Sequence, residues 1–339
     1  MERDHDIAGL HLGEAESAAV RVAAAILRAG GIVAMPTETV YGLAASAFDP
    51  RAVARVFEAK RRPSFDPLIV HIADLADLPR VAAEMPPAAL AVAERFWPGP
   101  LTMVFPKRPE IPDIVTSGLA TVGVRFPDHP MARALIRAAG VPLAAPSANP
   151  FGYISPTTAA HVREQLGGAV DAILDGGPCR VGVESTILAW QGGAPVLLRA
   201  GGTPVEALEE VAGPIGRPPP RMPTAPQDSP GQLPRHYSPH TPLSLDAEPG
   251  AYPAGARLGW LGLQAPDNPA RYAAIEVLSP SGDLREAASN LFAAMHRLDA
   301  LGLDAVIARR VPDSGLGLAV NDRLRRAAAK GHRPFGAAG

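Results

Sequence analysis

A single cysteine, Cys179, stands in the 339 residues, which excludes an internal disulfide and any multi-cysteine metal site. Such scarcity suits a reducing cytosol. Charge is not in excess either. The formal net charge of -2 argues against a general nucleic-acid binder and leaves room only for a local basic patch. No apolar run approaches the length a membrane-spanning helix needs, and the charged first residues lack the apolar core of a signal peptide. The chain reads as soluble and cytoplasmic, with no membrane partner. Glycine loops of the GxxxxGKS/T and GxGxxG types are missing, and so is HExxH. Ser147 lies in APSAN and not in GxSxG, so no nucleophile elbow is signalled. His236 and His240 are four apart, but Pro239 between them opposes a helical metal pair. There is no internal repeat.

What is present points to two α/β units. The length exceeds one average domain, and 47% hydrophobic with 19% charged residues is the composition of a globular chain. Residues 14–29 carry Val20, Ala23, Ala24 and Leu27 at helical spacing, ended by Gly30 and Gly31. The stretch GGIVAMPTETVYGL then reads as a strand with a polar exit, because Pro36 pushes Met35 towards extended geometry. Continued extended, it sets Thr37, Thr39 and Tyr41 on one face, although hydroxyls at a strand end also suit an ordinary sheet rim. A helix over 50–60 runs into Lys60, Arg61 and Arg62, cations that favour a helix C-terminus. The strand over 68–72 turns Leu68, Val70 and Ile72 one way and His71 the other. A lone histidine there also fits a satisfied core position.

The pattern continues. Helices are expected over 88–96 and 131–139, and strands over WPGPLTMVFP, 121–126, ESTILAW and PVLLRAGG. In 121–126, Thr121, Gly123 and Arg125 share the face without bulky apolar groups. An extended VPLAAPSAN sets Ala145, Ser147 and Asn149 together. Several strands thus pair an apolar face with a face of small, hydroxyl or cationic residues. Burying such a face dry is costly, so it is expected to line a wet cavity for an anionic, polar ligand. From Gly213 the chain becomes proline-dense, as in a semi-rigid linker, with Arg235, His236 and Tyr237 near its end. Beyond it, RLGWLGL, AAIEVLS, a helix over 284–301, DAVIARRV and a helix over 317–330 alternate as in a small parallel-sheet α/β domain.

These segments, in this order, resemble the YrdC-like threonylcarbamoyl-AMP synthases in their long two-domain form. The markers are PTETVYGL at 36–43, KRRPSFDPLIVHI at 60–72, WPGPLT at 97–102, VGVRFP at 122–127 and APSAN at 145–149. They continue with ESTI at 184–187, VLLRAGG at 196–202, PGQLPRHYSP at 230–239 and GLGLAVNDRLRRAA at 315–328. The resemblance implies a twisted mixed-sheet YrdC-like domain with a large cavity over residues 1–213, a linker or lid over 214–242, and a smaller Rossmann-like α/β domain over 243–339. It implies an enzyme that joins L-threonine, bicarbonate or CO2, and ATP into threonylcarbamoyl-adenylate and releases pyrophosphate. Mg2+ would enter with ATP and not on a protein site. The product would serve threonylcarbamoyl modification of the adenosine beside the tRNA anticodon through a separate transferase, with direct tRNA contact left open.

By the same resemblance, Thr39, His71, Arg125, Ala145 and Ser185 hold threonine, with Arg125 on its carboxylate. Arg62, Asp66, Thr121, Ser147, Ser155, Arg199 and Tyr237 hold ATP, with Tyr237 closing over the nucleotide. Lys60, Arg62, Ser147 and Asn149 form the cluster that supports the chemistry by charge and positioning. Two positions depart from the family pattern: Asp66 stands where Asn is more usual, and Ala200 replaces a proline after Arg199. Two other classes compete. A carbamoyl-transfer module of hydrogenase maturation would need cysteine-rich zinc fingers, which one cysteine cannot supply. An RNA-binding module would rest on Lys60, Arg61 and Arg62 and would bind with a steep salt dependence.

Overall fold

The computed structural model describes residues 12–217 and 236–329. Its first sheet is built from β1 (Val33–Met35), β2 (Gly42–Ser46), β3 (Ile69–His71), β4 (Leu101–Pro106), β5 (Thr121–Arg125), β6 (Leu143–Ala144), β7 (Ala172–Ile173), β8 (Thr186–Gln191) and β9 (Ala194–Arg199). Their spatial order is β7-β1-β2-β6-β3-β5-β4-β8-β9. The pairs β7/β1, β3/β5 and β4/β8 are parallel, and the remaining pairs are antiparallel. The helices of this unit are α1 (Glu14–Arg28), α2 (Pro50–Lys60), α3 (Pro87–Phe96), α4 (Asp113–Thr116), α5 (Pro130–Ala139), α6 (Ala159–Leu166) and α7 (Val205–Ala212).

Side chains alternate between the faces of a strand, and β1 shows both faces in use. Ala34 joins the core beneath α2 and α3, whereas Val33 and Met35 join the core beneath α1 and α5. In β3, Val70 enters the first of these cores with Leu68 and Ile72 beside it, while Ile69 belongs to a small cluster with Ile187 and Leu198. That second face of β3, β5, β8 and β9 is where His71 and Arg125 project.

Local chemistry decides which cations turn inward. Asp49 caps α2 by accepting from the Arg51 and Ala52 amides, and Pro50 opens the first turn. At its other end Arg61 takes a left-handed conformation, φ 51°. The turn leaves Arg61 exposed and places Lys60 and Arg62 inside, 1% and 8% exposed. The three adjacent cations are therefore not one cluster.

Two extended readings are replaced by turns. After Pro36 the chain reverses into β2, which pairs antiparallel with β1, because the Thr37 hydroxyl accepts from the Thr39 and Val40 amides and donates to the Val40 carbonyl. Thr37 and Thr39 still touch, Oγ1 to Oγ1 at 2.9 Å, but the Tyr41 hydroxyl points elsewhere, onto the Gly177 carbonyl. Similarly, β6 ends at Ala144. Ala145 and Ser147 keep the common side, while the Asn149 side-chain amide is drawn back to the Pro150 and Tyr153 carbonyls.

The second sheet is parallel throughout and ordered β10-β13-β11-β12, with β10 (Leu243–Leu245), β11 (Leu258–Gly262), β12 (Ala274–Val277) and β13 (Ala305–Ala308). Helices α8 (Leu284–Asp299) and α9 (Gly317–Ala328) pack on it through Leu291, Phe292, Met295 and Leu324. The same core takes in Val40, Ile154 and Val183 from the first unit and Tyr237 from the end of the linker. The two units therefore share one apolar core across their contact. No helix of the described residues is long and apolar enough to cross a membrane.

Candidate active site

Parallel pairing of β3 with β5 sets His71 directly beside Arg125. Arg125, 4% exposed, donates from Nη1 to the Thr39 hydroxyl at 2.8 Å and pairs through Nη2 with Glu38 at 2.7 Å. Its Nε and Nη2 hydrogens meet no acceptor in hydrogen-bond geometry among the described residues. Donors of this kind beside a cavity suit a carboxylate. His71 is pushed down to about 3 by burial and then by the neighbouring Arg125 charge, so it is neutral at physiological pH. Its Nδ1 lies 3.2 Å from the Ile69 carbonyl, an acceptor, which places the proton on that nitrogen.

Arg62 approaches from the end of α2. It donates from Nε and Nη2 to the Asp66 and Pro67 carbonyls and pairs with the Asp66 carboxylate at 2.9 Å. Asp66 is fully buried and lies behind Arg62, so its carboxylate does not line the cavity. Burial raises its pKa despite Arg62. Lys60 is likewise one layer back. Its ammonium donates to the Ser147 and Asn149 carbonyls, both at 2.5 Å, and burial and then Arg62 lower its pKa well below the usual lysine value. Lys60 therefore ties the APSAN turn to α2.

From the other side, Arg199 at the end of β9 donates to the Ser185 carbonyl from Nε (3.1 Å) and Nη2 (2.9 Å), and to its hydroxyl at 3.2 Å. The Ser185 hydroxyl is 2.7 Å from that of Thr102. Glu184 carries Ser155, whose hydroxyl donates to Oε1 at 2.6 Å. Burial alone would raise the Glu184 pKa. Arg323 and Arg199 more than offset it and hold the carboxyl below its usual range.

The roof comes from the linker. Tyr237 is 1% exposed with φ 62°, a sparsely populated region for a residue with a side chain. His236 packs on it at 4.1 Å and on Phe151 at 5.9 Å between ring centroids. Both line the cavity, with Arg62, His71, Arg125 and Ser147. Ala145, Ser185 and Arg199 complete the sequence-derived residues on its wall. Thr39, Lys60, Asp66, Asn149 and Ser155 stand immediately behind. Thr121 is apart: it lines a smaller neighbouring cavity that shares only Ile69 with this one. Glu38, Thr102, Glu184 and Arg323 also contribute, without having been expected from the sequence, and His236, noted there only as part of the linker end, joins the wall. Glu184 sat in plain view within ESTI. Arg235 lies outside the described residues.

Expected to be large, the cavity measures about 50 Å3 among the described residues, far below the roughly 300–1,000 Å3 of typical small-molecule sites. His236, Tyr237 and Arg199 fill the space. A wider cleft, about 690 Å3, lies between the 150–153 loop and α8. Its Asp299 is already bonded to Tyr153, His240 and Thr241, so it is not the site where unsatisfied donors converge. Among the described residues no group of three or more His, Cys, Asp or Glu is placed to hold a metal ion.

A mixed sheet that gathers buried cations, paired carboxylates and hydroxyls on one face under a tyrosine roof defines an α/β transferase domain of the YrdC-like class. Residues 25–201 match the family described as Telomere recombination, and residues 203–329 match the C-terminal domain of threonylcarbamoyl-AMP synthase. Threonylcarbamoyl-AMP synthase of Pyrococcus abyssi is 43% identical over 325 residues, covering 91% of this chain and 93% of its own. That of Bacillus subtilis is 42% identical over 324 residues, covering 90% and 92%. The crystal structure of P. abyssi Sua5 complexed with L-threonine is similar at TM-score 0.86 and 41% identity, over 92% of this chain and 94% of that one. The chain belongs to the threonylcarbamoyl-AMP synthase family, a family of nucleotidyltransferase enzymes.

Proposed function

We propose that this enzyme forms threonylcarbamoyl-adenylate from L-threonine, CO2 or bicarbonate, and ATP, releasing pyrophosphate. The observation that carries the reading is the convergence of Arg62, Arg125 and Arg199, all under a tenth exposed, on one cavity roofed by Tyr237. The similar P. abyssi Sua5 structure is a complex with L-threonine. Here the Nε and Nη2 donors of Arg125 would take the threonine carboxylate, with Thr39, Ala145 and Ser185 shaping the subsite. Neutral His71 would contribute a polar edge without charge. Arg62, Ser147 and Arg199 would hold the phosphates, and Tyr237 would cover the nucleotide. Ser155 would act through Glu184, and Asp66 through Arg62. Thr121, in the neighbouring cavity, would contact only the far end of an ATP that spans both.

The threonine nitrogen attacks CO2 and loses a proton, giving a carbamate. A carbamate oxygen attacks the α-phosphorus, and pyrophosphate leaves with the electron pair of the broken P–O bond. Two anions must be held together while charge grows on phosphoryl oxygens, which fixed guanidinium groups stabilise without reorganising. Mg2+ would arrive as part of the ATP substrate and share that charge. Carbamates decompose readily in water, so a roof that excludes water protects them. The small volume of the cavity, about 50 Å3, implies that His236 and Tyr237 move aside for ATP to enter.

The product would serve the tRNA modification beside the anticodon through a separate transferase, in the cytoplasm. Pyrophosphate release from MgATP, measured with and without threonine and bicarbonate, tests the reading. Release that requires both supports it, and release indifferent to threonine defeats it.

A further inference from the structure

Among the described residues Arg323 is the largest fully buried side chain, and it comes from α9 of the second unit. Its Nε donates to Glu184 Oε2 at 2.9 Å, and Nη1 donates to the Ala200 carbonyl at 2.6 Å and to Asp322 Oδ2 at 3.1 Å. Glu184 and Ser185 lie just before β8, and Ala200 follows Arg199 at the end of β9. One guanidinium therefore grips both strands immediately behind two cavity-lining residues. The other carboxylate oxygen of Glu184 takes the Ser155 hydroxyl at 2.6 Å.

The flat face of the same group meets the roof. Its Cζ is 5.3 Å from the Tyr237 ring centroid, within cation–π range. Phe292 of α8 lies 5.4 Å from the same ring. The Tyr237 seat is thus made by two side chains of the second unit, and it holds a residue whose left-handed backbone would not persist unaided. Arg323 Nη2 and the Tyr237 hydroxyl are buried and have no hydrogen-bond partner among the described residues.

We infer that Arg323 is a positioning residue for the reaction proposed above, through which the second unit seats Tyr237 over the nucleotide subsite and aims Glu184. The inference rests on the synthase reading for its kinetic form. It places the contribution of the second unit mainly on ATP, because among the described residues the hydrogen bonds and ion pairs of Arg323 go to Glu184, Ala200 and Asp322 and not to Thr39 or Arg125.

The test uses the full-length enzyme with Arg323→Met, which keeps much of the volume without the charge, and Arg323→Lys, which keeps the charge without the planar fork. Arg323→Met is expected to raise the KM for ATP about tenfold or more, while the calorimetric Kd for L-threonine stays within about twofold of wild type. Arg323→Lys is expected to recover part of the ATP effect. In a Tyr237→Ala background, Arg323→Met should raise the KM for ATP by clearly less than it does in the wild-type background, since one of the two side chains through which it acts is gone. An unchanged KM for ATP, an equal loss of both substrates, or full additivity with Tyr237→Ala overturns the assignment. If wild type shows no threonine-dependent pyrophosphate release, the synthase reading fails. MgATP affinity of wild type against Arg323→Met, measured by calorimetry, then still decides whether Arg323 seats the roof.

Discussion

Arg125 has two neighbours with opposite consequences. Glu38 neutralises it on one side, and its remaining donors face the cavity on the other. Removing the cation leaves Glu38 buried and uncompensated, so Arg125→Met is expected to destabilise the fold by about 3–5 kcal/mol. Adding Glu38→Gln should recover much of that loss in a denaturant melt without restoring threonine use. Single and double variants are expected to show a threonine KM at least about thirtyfold above wild type. Asp66 poses the converse case. Its carboxylate pairs with Arg62 at 2.9 Å and, in the proposed reaction, would compete with phosphate for it, so Asp66→Asn should lower the KM for ATP while reducing thermal stability. Steady-state kinetics and a melt together check both directions. An Asp66→Asn enzyme with weaker ATP binding would show that the carboxylate serves ATP directly.

Among the elements, the docking of α8 against the 182–184 segment controls how the two units meet. Gly182 takes φ 74°, and a Cβ there would lie 2.5 Å from the Ala288 carbonyl and from Ser289 Cα, both backbone atoms of α8. Gly182→Ala is therefore strained twice, by conformation and by contact. It should lower the melting temperature and raise the KM for ATP together, because Val183 and Glu184 follow directly. Unchanged values for both would mean that α8 can shift to accommodate a methyl group. Helices were the most legible elements: the spacing in 50–60 and the closing glycine of α5 locate their ends within a residue or so. The turns at Thr37 and Asn149 were not legible as such. Extended chain and turn satisfy the same residue preferences there, and only partners distant in sequence choose between them. The three-residue strand β10, hidden beside the proline-dense segment, was missed because it carries too few residues for a period to show.

At the scale of the whole molecule, burial of neutral histidines couples stability to pH. His71 is pushed down to about 3 and His296 to about 4, burial being the main cause in both, and His236 lies well below the usual 6.5. In the unfolded chain each takes up a proton near pH 6.5, whereas in the fold each stays neutral. Below 6.5 the unfolded state therefore binds more protons, and stability falls as pH falls. The slope is up to about 1.4 kcal/mol per pH unit for each fully buried histidine, His71 and His236. Urea midpoints measured from pH 7.5 to 5 should decline. Replacing His71 by Gln should flatten the decline, and a midpoint that rises on acidification contradicts the assignment.

The sequence alone determined the two α/β units, most helix boundaries, the apolar and polar faces of the strands, and the order of motifs that marks the family. These follow from local periodicity and from residue preferences that act over a few neighbours. Tertiary structure decided the rest. It separated Arg61 from Lys60 and Arg62 by one left-handed residue, placed Asp66 behind Arg62, set Thr121 apart, and reduced an expected large cavity to a small one. It also brought Arg323 across 139 residues onto Glu184. Which charges pair in a dry interior depends on what packing brings within a few ångströms, and no spacing along the chain records that distance.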